Sequence, residues 1–134
     1  MDGSRSRGAR AEELCADYLR GKGYRIVARN YRCRGGEIDI IAEQNTAPAP
    51  LRLLGKKDGY LVFAEIKMRS GRGYGEAREA VDRRKQQRIR LAALTYLSEY
   101  GGSLQPRFDV IEIYGDADTP RRQRRINQIE NAFE

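Results

Sequence analysis

The sequence predicts an α/β fold in which helices flank a central mixed β-sheet, and three observations support this prediction. Two amphipathic segments, near residues 8–21 and 82–100, have the periodicity of surface helices. Between them lie two apolar runs, 37–42 and 60–67, whose β-branched and aromatic residues favour strands. Both runs contain ionic side chains, which are costly to bury unless they are paired or bind a metal. The pattern predicts a layered domain with a polar site in its sheet.

Length and composition are those of one globular domain, so we expect residues 1–134 to fold as a single unit. Hydrophobic residues make up 40% of the chain, and no apolar run approaches membrane-spanning length. The first residues lack the apolar segment of a secretory signal. Cys15 and Cys33 lack a paired-thiol spacing, which favours free thiols in a reducing compartment. We therefore expect a cytoplasmic protein with no membrane partner.

The charged residues point to a polyanionic partner. Lys and Arg number 26 against 19 acidic residues, which gives a net charge of +7. Arginine dominates, and its planar fork suits phosphate groups, so nucleic acid is the favoured partner. The alternative is that these side chains are solvated and only confer solubility. The chain contains no histidine, which removes Ser-His and Cys-His triads and most zinc sites. Any catalysis must use carboxylates, lysine, tyrosine or metal-bound water.

The first element is a helix over residues 8–21 that ends at Gly21 and Gly23. At 100° per residue, Glu12 falls on the apolar stripe together with Leu19, whereas Glu13 falls on the polar side. We therefore expect Glu12, but not Glu13, to face the interior. The alternative is that Glu12 lies at the edge of the stripe and extends to water.

The next elements are strands. Residues 24–28 are a short strand candidate, and a basic turn over 30–36 leads to the ionic strand at 37–42. The connection over 43–59 is long for a hairpin and is expected to be mobile at its tip. The second ionic strand covers 60–67, and a glycine-rich loop over 69–75 suits a phosphate backbone.

Alternation along these strands predicts a cluster of ionic side chains. Glu37 and Asp39 share one face of their strand, and Glu65 and Lys67 share one face of theirs. If the strands pair as a hairpin in the right register, Asp39, Glu65 and Lys67 converge.

A second helix is predicted from an N-cap at Asp82 to Tyr100, with Gly101 and Gly102 as its stop. Its apolar face runs from Ile89 to Tyr100, and helical spacing adds two polar residues to that face, Lys85 and Gln86. Four polar residues point outward: Arg83, Arg84, Gln87 and Arg88. Leu91 and Leu94 also fall on the outer side. Residues 108–114 read as a strand, and 126–133 form an element whose type the pattern leaves open.

This order of motifs resembles the PD-(D/E)xK nuclease superfamily, in which a helix glutamate precedes Asp and Glu-x-Lys on neighbouring strands. Six stretches more closely resemble the YraN-type bacterial family, which is likened to archaeal Holliday-junction resolvases: Ala11–Leu14, Asn30–Arg32, Gly36–Ile41, Phe63–Lys67 with Arg69, Lys85 and Ile129–Phe133. The resemblance covers nearly the whole chain. It implies a restriction-endonuclease-like three-layer fold. Ile38 departs from the proline in the superfamily name.

The resemblance also implies roles for individual residues. Asp39 and Glu65 would be ligands of Mg²⁺ or Mn²⁺, Glu12 would join them directly or through water, and Lys67 would hold or polarise the attacking water. These are the oxygen ligands that Mg²⁺ prefers. Six residues are predicted to contact the nucleic acid or to support the site beside it: Arg69, Arg72, Arg83, Lys85, Gln86 and Arg88.

Three hypotheses follow. The first is a metal-dependent endonuclease that hydrolyses DNA, with branched or structured DNA as a candidate substrate. The second is a catalytically weak or inactive nucleic-acid-binding module with the same fold. The third is a structural ion-pair network in a basic protein, which four inward-directed ionic positions disfavour. A homodimer is compatible with each of them.

Overall fold

One five-stranded mixed sheet with a helix on each face organises the chain, as seen in a computed structural model that describes residues 3–69, 81–115, 120 and 124–134, with side chains from residue 8 onward. The elements are, in chain order, α1 (Gly3–Gly21), β1 (Arg25–Cys33), β2 (Gly36–Asn45), α2 (Ala49–Leu53), β3 (Gly59–Arg69), α3 (Arg83–Tyr100), β4 (Gln105–Tyr114) and β5 (Arg125–Phe133). The strands lie in sequence order across the sheet. Strands β3 and β4 are parallel, and all other neighbours are antiparallel.

The two long helices cover opposite faces of the sheet. Helix α1 buries Cys15, Ala16 and Leu19 against strand residues that include Val62 and Ala64. Helix α3 buries three residues, Ile89, Ala92 and Ala93, against the other face, which includes Leu61 and Phe63. Because neighbouring residues of β3 belong to different clusters, the sheet is the middle of three layers. The predicted three-layer α/β arrangement, with the 36–42 and 60–67 runs as adjacent strands, is confirmed.

Aromatic rings fill the layer under α3. The ring of Tyr96 meets that of Tyr31 edge-on at 5.3 Å and that of Phe63 at 6.1 Å. Phe63 in turn lies 5.8 Å from Phe108, which stacks on Phe133 at 5.1 Å. Phe63 is fully buried, and its burial contributes on the order of 2 kcal/mol. The contacts of Tyr96 with Tyr31 and Phe63 fix the position of α3 over the strands that carry the ionic residues.

Helix α3 begins and ends as predicted. The Asp82 side chain accepts a hydrogen bond from the Lys85 backbone N–H at 2.8 Å, and Gly101, with φ 62°, follows the last turn. Leu91 and Leu94 are exposed as expected. Tyr100, which was placed on the apolar face, is instead 65% exposed.

Several predicted boundaries were wrong because pairing in the sheet extends strands beyond their local signals. Asn30 and Arg32 lie inside β1 and not in a turn, and the turn to β2 is at 34–35. The connection between β2 and β3 contains the short helix α2. The connection is braced by Asn45, whose Oδ1 accepts hydrogen bonds from the backbone N–H groups of Ala47 and Asp58. The C-terminal element is a strand. The loop prediction beyond Arg69 falls on residues 70–75, outside the described ranges.

The glycine at the start of β2 is required by its contact with α3. A Cβ at Gly36 would lie 2.3 Å from the backbone oxygen of Arg88. Strand β2 therefore begins directly against the helix, close to the first turns that carry Lys85. Within the described ranges, no helix is long and apolar enough to cross a membrane.

Candidate metal centre

The candidate site lies where β2 and β3 separate. These strands pair from Asn45 and Gly59 as far as Ile40 and Ala64. Strand β2 remains paired with β1 beyond this point, as far as Gly36. Asp39 is the first residue of β2 past the last pair with β3. Its Oδ2 accepts a hydrogen bond from the backbone N–H of Ile66 at 2.8 Å, so a carboxylate replaces the missing strand carbonyl.

Glu65 lies beside the fork, the point past Ile40 and Ala64 where β2 and β3 separate, and is only 8% exposed. Its Oε1 lies 3.2 Å from Nζ of Lys85 in the first turn of α3. Its Oε2 is buried, and no residue that the structure describes donates a hydrogen bond to it. Burial, followed by the negative charge of Asp39, raises the pKa of Glu65 to about 7, and Lys85 only partly offsets this. A buried carboxylate with an unpartnered oxygen is a costly arrangement.

The carboxyl groups of Asp39 and Glu65 lie within hydrogen-bonding reach of each other, which also raises the pKa of Glu65. Two carboxyl groups can make such a bond only if one carries a proton, because ionised carboxylates are acceptors only. A shared proton or a shared cation would relieve the repulsion between them. The predicted convergence of these two residues is therefore present in the structure.

Glu12 reaches the same region from α1. Its side chain is 17% exposed, against 53% for Glu13, so the predicted inward orientation of Glu12 is confirmed. Asn30 Nδ2 donates to Glu12 Oε2 at 2.6 Å, and Arg29 Nη1 lies 3.7 Å from Oε1. Asn30 has a φ of 50°, which is uncommon for a residue other than glycine and often marks a functional site.

Glu12, Asp39 and Lys67 line one pocket, between the N-terminal half of α1 and the fork. Cys15 lies nearby: burial, then the charges of Asp39 and Glu12, raises the pKa of its thiol to about 12. The thiol therefore stays protonated and is not a nucleophile at neutral pH. Both cysteines are free, as predicted.

The predicted sharing of a face by Glu37 and Asp39 does not match the structure. Ile38 and Ile41 both pack in the cluster under α3, whereas Ile40 packs under α1, so strict alternation fails near Asp39. Glu37 turns toward α3, with its Oε1 3.7 Å from Lys85 Nζ. Asp39 turns across the fork instead, toward β3.

Five of the six predicted nucleic-acid contacts divide into three groups. Arg83 and Arg88 are exposed on the outer side of α3, as a phosphate contact requires. Lys85 and Gln86 face inward, where Lys85 holds Glu65 and Gln86 Nε2 donates to the backbone oxygen of Val81 at 2.8 Å. Arg72 lies outside the described residues.

Arg69 does not fit its predicted contact with a nucleic acid. It is 8% exposed, and its Nε donates to Glu112 Oε2 at 3.2 Å. The distance of 43 residues between these partners left no signal in the sequence.

The oxygen atoms at the fork determine which cation could bind there. Within the described ranges, no group of three or more His, Cys, Asp or Glu residues lies close enough to hold a metal ion. Asp39 and Glu65 are a pair. A hard cation such as Mg²⁺ commonly uses one or two carboxylates and completes its shell with water and substrate phosphate. The unpartnered Oε2 of Glu65 provides an oxygen ligand atom, so Asp39 and Glu65 fit such an ion.

The sequence has close relatives across bacteria. The pattern of the uncharacterised protein family UPF0102 matches residues 11–113. The chain belongs to this family. It is 41% identical over 131 residues to a UPF0102 protein of Symbiobacterium thermophilum, which covers 97% of this chain and 98% of that protein. It is 44% identical over 129 residues to one of Geobacter sulfurreducens, with 95% and 88% covered. The resemblance to the YraN-type family is thereby confirmed.

The matched range contains every residue of the site, from Glu12 to Lys85. Asn30 and Arg29, which hold Glu12, were not assigned a role from the sequence. The signal for Asn30 was present in Asn30–Arg32, a family motif that was read as part of a turn. The family name states no activity.

Proposed function

We propose that this protein is a divalent-metal-dependent endonuclease that hydrolyses phosphodiester bonds in DNA, with branched or structured DNA as its substrate. The observation that carries the proposal is the buried, unpartnered Oε2 of Glu65 beside Asp39. The fold can form without a buried, unpartnered carboxylate oxygen, and such an oxygen is costly unless it binds a cation. Perturbed carboxylates of this kind concentrate at functional sites.

Asp39 and Glu65 would hold Mg²⁺ or Mn²⁺. The ion would lower the pKa of water and neutralise charge on the phosphate. Lys85 keeps Oε1 of Glu65 in place, which leaves Oε2 available as a ligand atom. The Ile66 N–H holds one oxygen of Asp39, so its carboxylate is oriented before any ligand arrives.

Lys67 lines the same pocket as Asp39 and Glu12. There its ammonium group would orient the attacking water and add positive charge where the transition state gathers negative charge. Glu12, fixed by Asn30, would accept a hydrogen bond from water on the α1 side. Arg83 and Arg88 would contact phosphates along the outer side of α3.

A binding module with the same fold is the second candidate. It is favoured by the small size of the acidic set, since only a pair of carboxylates meets at the fork and no larger group is present in the described ranges. The two candidates differ in what removal of a carboxylate does to cleavage and to binding.

The test is cleavage of duplex, single-stranded and four-way-junction DNA by the purified protein with Mg²⁺ or Mn²⁺. Asp39→Ala and Glu65→Ala should abolish cleavage, because each removes a metal ligand. Lys67→Ala should abolish cleavage and leave metal affinity largely unchanged. The Asp39 and Glu65 variants should still bind DNA, since each loses an acidic group that repels phosphate. Glu13→Ala, next to Glu12 but exposed, is the control that should cleave like the parent.

The proposal fails if the parent cuts none of these forms with either metal. If the three variants then bind DNA as the parent does, the binding module is the better account.

A further inference from the structure

A groove at the end of the β2–β3 hairpin away from the fork has the features of a nucleotide site. Its lining includes Arg25 from β1, Lys57 before β3, Leu61 from β3, and Tyr96 and Tyr100 near the end of α3. None of these residues takes part in the site at Asp39 and Glu65. Glu43, which pairs with Leu61 in the sheet, lies at the base of the groove.

Two cations share one carboxylate in this groove. Arg25 donates to Glu43 Oε1 from Nε at 3.0 Å and from Nη2 at 2.9 Å. Lys57 Nζ lies 3.3 Å from both oxygens of the same Glu43. One negative charge thus faces two positive charges, and a net charge of about +1 remains for an anion. The side chains of Arg25 and Lys57 are 64% and 48% exposed, so a phosphate can reach both cations.

An aromatic platform borders these cations. Tyr100 is 65% exposed although it is a large ring at the end of a packed helix. Its ring lies on that of Tyr96, with centroids 4.6 Å apart and planes tilted by 38°. Tyr96 is held from below by Tyr31 and Phe63, so the exposed ring rests on a fixed base. A fixed, exposed ring beside cations is the arrangement on which the bases of single strands stack.

We propose that this groove binds an unpaired segment of DNA, with a base stacked on Tyr100 and a neighbouring phosphate held by Arg25 and Lys57. The inference rests on the proposed function in taking nucleic acid as the partner, and it specifies single-stranded character in the substrate. Glu43 lies four residues after Asp39 in β2. At about 3.3 Å per residue the groove is roughly 13 Å from the fork along that strand. That span corresponds to about four stacked nucleotides.

Self-association through this groove is disfavoured by its charge, because a two-fold contact would bring Arg25 and Lys57 against the same residues of a second copy. A duplex fits less well than a single strand, because the bases of a duplex are stacked on each other and leave no free face for Tyr100. A single strand satisfies both the ring and the cations.

The test is binding of a short oligothymidine and of a duplex, measured by fluorescence anisotropy in EDTA, where no cleavage occurs. Tyr100→Ala should weaken oligothymidine binding about tenfold or more, since one stacked base is worth that much. Tyr100→Phe should retain it. Leu94→Ala is the matched control, on the same helix, 66% exposed and outside the groove.

Arg25→Ala has a separate readout. It should lower the slope of log affinity against log salt by about 0.7 for the single strand. Arg20→Ala, which removes an exposed arginine from α1, should leave that slope unchanged.

Two results would overturn the inference. One is oligothymidine binding by Tyr100→Ala equal to that of Leu94→Ala. The other is a Tyr100→Ala variant that keeps DNA binding but loses a dimer that the parent forms in sedimentation. That result would identify the groove as a contact between two copies. Because binding is measured without metal, the outcome is independent of cleavage. If the parent never cuts DNA but the Tyr100→Ala variant loses oligothymidine binding, the nuclease proposal is refuted and the groove proposal is supported.

Discussion

Two buried carboxylates of the sheet, Asp109 in β4 and Glu65 in β3, differ in how completely they are hydrogen-bonded. Asp109 is 0% exposed, against 8% for Glu65. Four hydrogen bonds reach it, from Arg107 Nε at 2.8 Å, Arg107 Nη2 at 2.8 Å, Gln128 Nε2 at 2.8 Å and the Asn131 backbone N at 3.0 Å. Glu65 has Lys85 at 3.2 Å on one oxygen, and its other oxygen has no donor within the described ranges.

The difference separates a carboxylate whose hydrogen bonds are all made from one with an oxygen that a ligand could still complete. Arg107 is itself bound further by Tyr24 Oη at 3.0 Å and Gln44 Oε1 at 2.8 Å, so the whole cluster around Asp109 is satisfied. A satisfied network needs no ligand and rigidifies the fold. At Glu65 the same cost of burial is left unbalanced, and a ligand can balance it. The comparison makes opposite predictions for the removal of the two charges.

The largest expected effect is the loss of stability when the satisfied carboxylate is removed. Asp109→Ala should lower the free energy of unfolding by about 3–5 kcal/mol, because it removes the close partner of the buried Arg107 charge and leaves only the half-exposed Glu130 at 3.9 Å. Denaturant unfolding measures this, with Glu13→Ala as an exposed control. Asp109→Asn, which keeps the shape, provides a folded variant if Ala does not fold. An unchanged midpoint for both variants would mean that the cluster is not structural.

A stabilisation is expected when the unsatisfied carboxylate is neutralised. The pKa of Glu65 is raised from 4.5 to about 7, so the folded state holds this proton more tightly than the unfolded state does. Its contribution to stability is therefore present below about pH 4.5 and is lost as the pH rises to about 7. Glu65→Gln removes this loss and should stabilise the metal-free protein at pH 8 by on the order of 3 kcal/mol.

Unfolding of the parent and of Glu65→Gln, compared at pH 5 and pH 8 in EDTA, measures the difference. The gap should be larger at pH 8. A gap that is constant with pH, or a less stable Gln variant at pH 8, would show that Glu65 is as well satisfied as Asp109.

The smallest expected effect concerns two arginines, one buried in an ion pair and one half-exposed. Arg69 is buried against Glu112, whereas Arg88 is half-exposed, with its Nη2 3.9 Å from Glu37. Duplex binding by the parent should weaken steeply with salt, and Arg88→Ala should lower the slope of log affinity against log salt by about 0.9. Arg69→Ala should instead destabilise the fold and leave the slope unchanged. Equal slopes for the parent and Arg88→Ala would remove Arg88 from the interface.

The sequence predicted the parts of the fold that depend on periodicity. The two helices, the ionic hairpin and the opposite orientations of Glu12 and Glu13 all follow from apolar spacing. Boundaries were less predictable: β1 runs on to Cys33 because it pairs with β2, although Asn30 and Arg32 look like turn residues. The bracing of the 43–59 connection depends on contacts that the pattern does not show, among them the Asn45 side chain and the bond from the Thr46 backbone N–H to the Asp58 oxygen.

The site was predicted as a set of residues, and its arrangement was not. Alternation could not show that Asp39 crosses to the Ile66 N–H, because this depends on the separation of β2 from β3. Pairing across the chain was equally hidden for Arg69 and Glu112. Tyr100 has the helical phase of a core residue, yet it is the last residue of α3 and is 65% exposed, which only the structure could show.

The central proposal is that Glu65, whose buried Oε2 has no donor within the described ranges, binds a divalent cation together with Asp39. Thermal unfolding with increasing Mn²⁺ at pH 8 tests it most directly, because a ligand that binds only the folded state raises the free energy of unfolding, by about 2.7 kcal/mol at a hundredfold excess over its dissociation constant. We predict that Mn²⁺ stabilises the parent and the exposed control Glu13→Gln, and that it leaves Glu65→Gln and Asp39→Asn unchanged. Equal stabilisation of all four proteins, or of none, would contradict the claim.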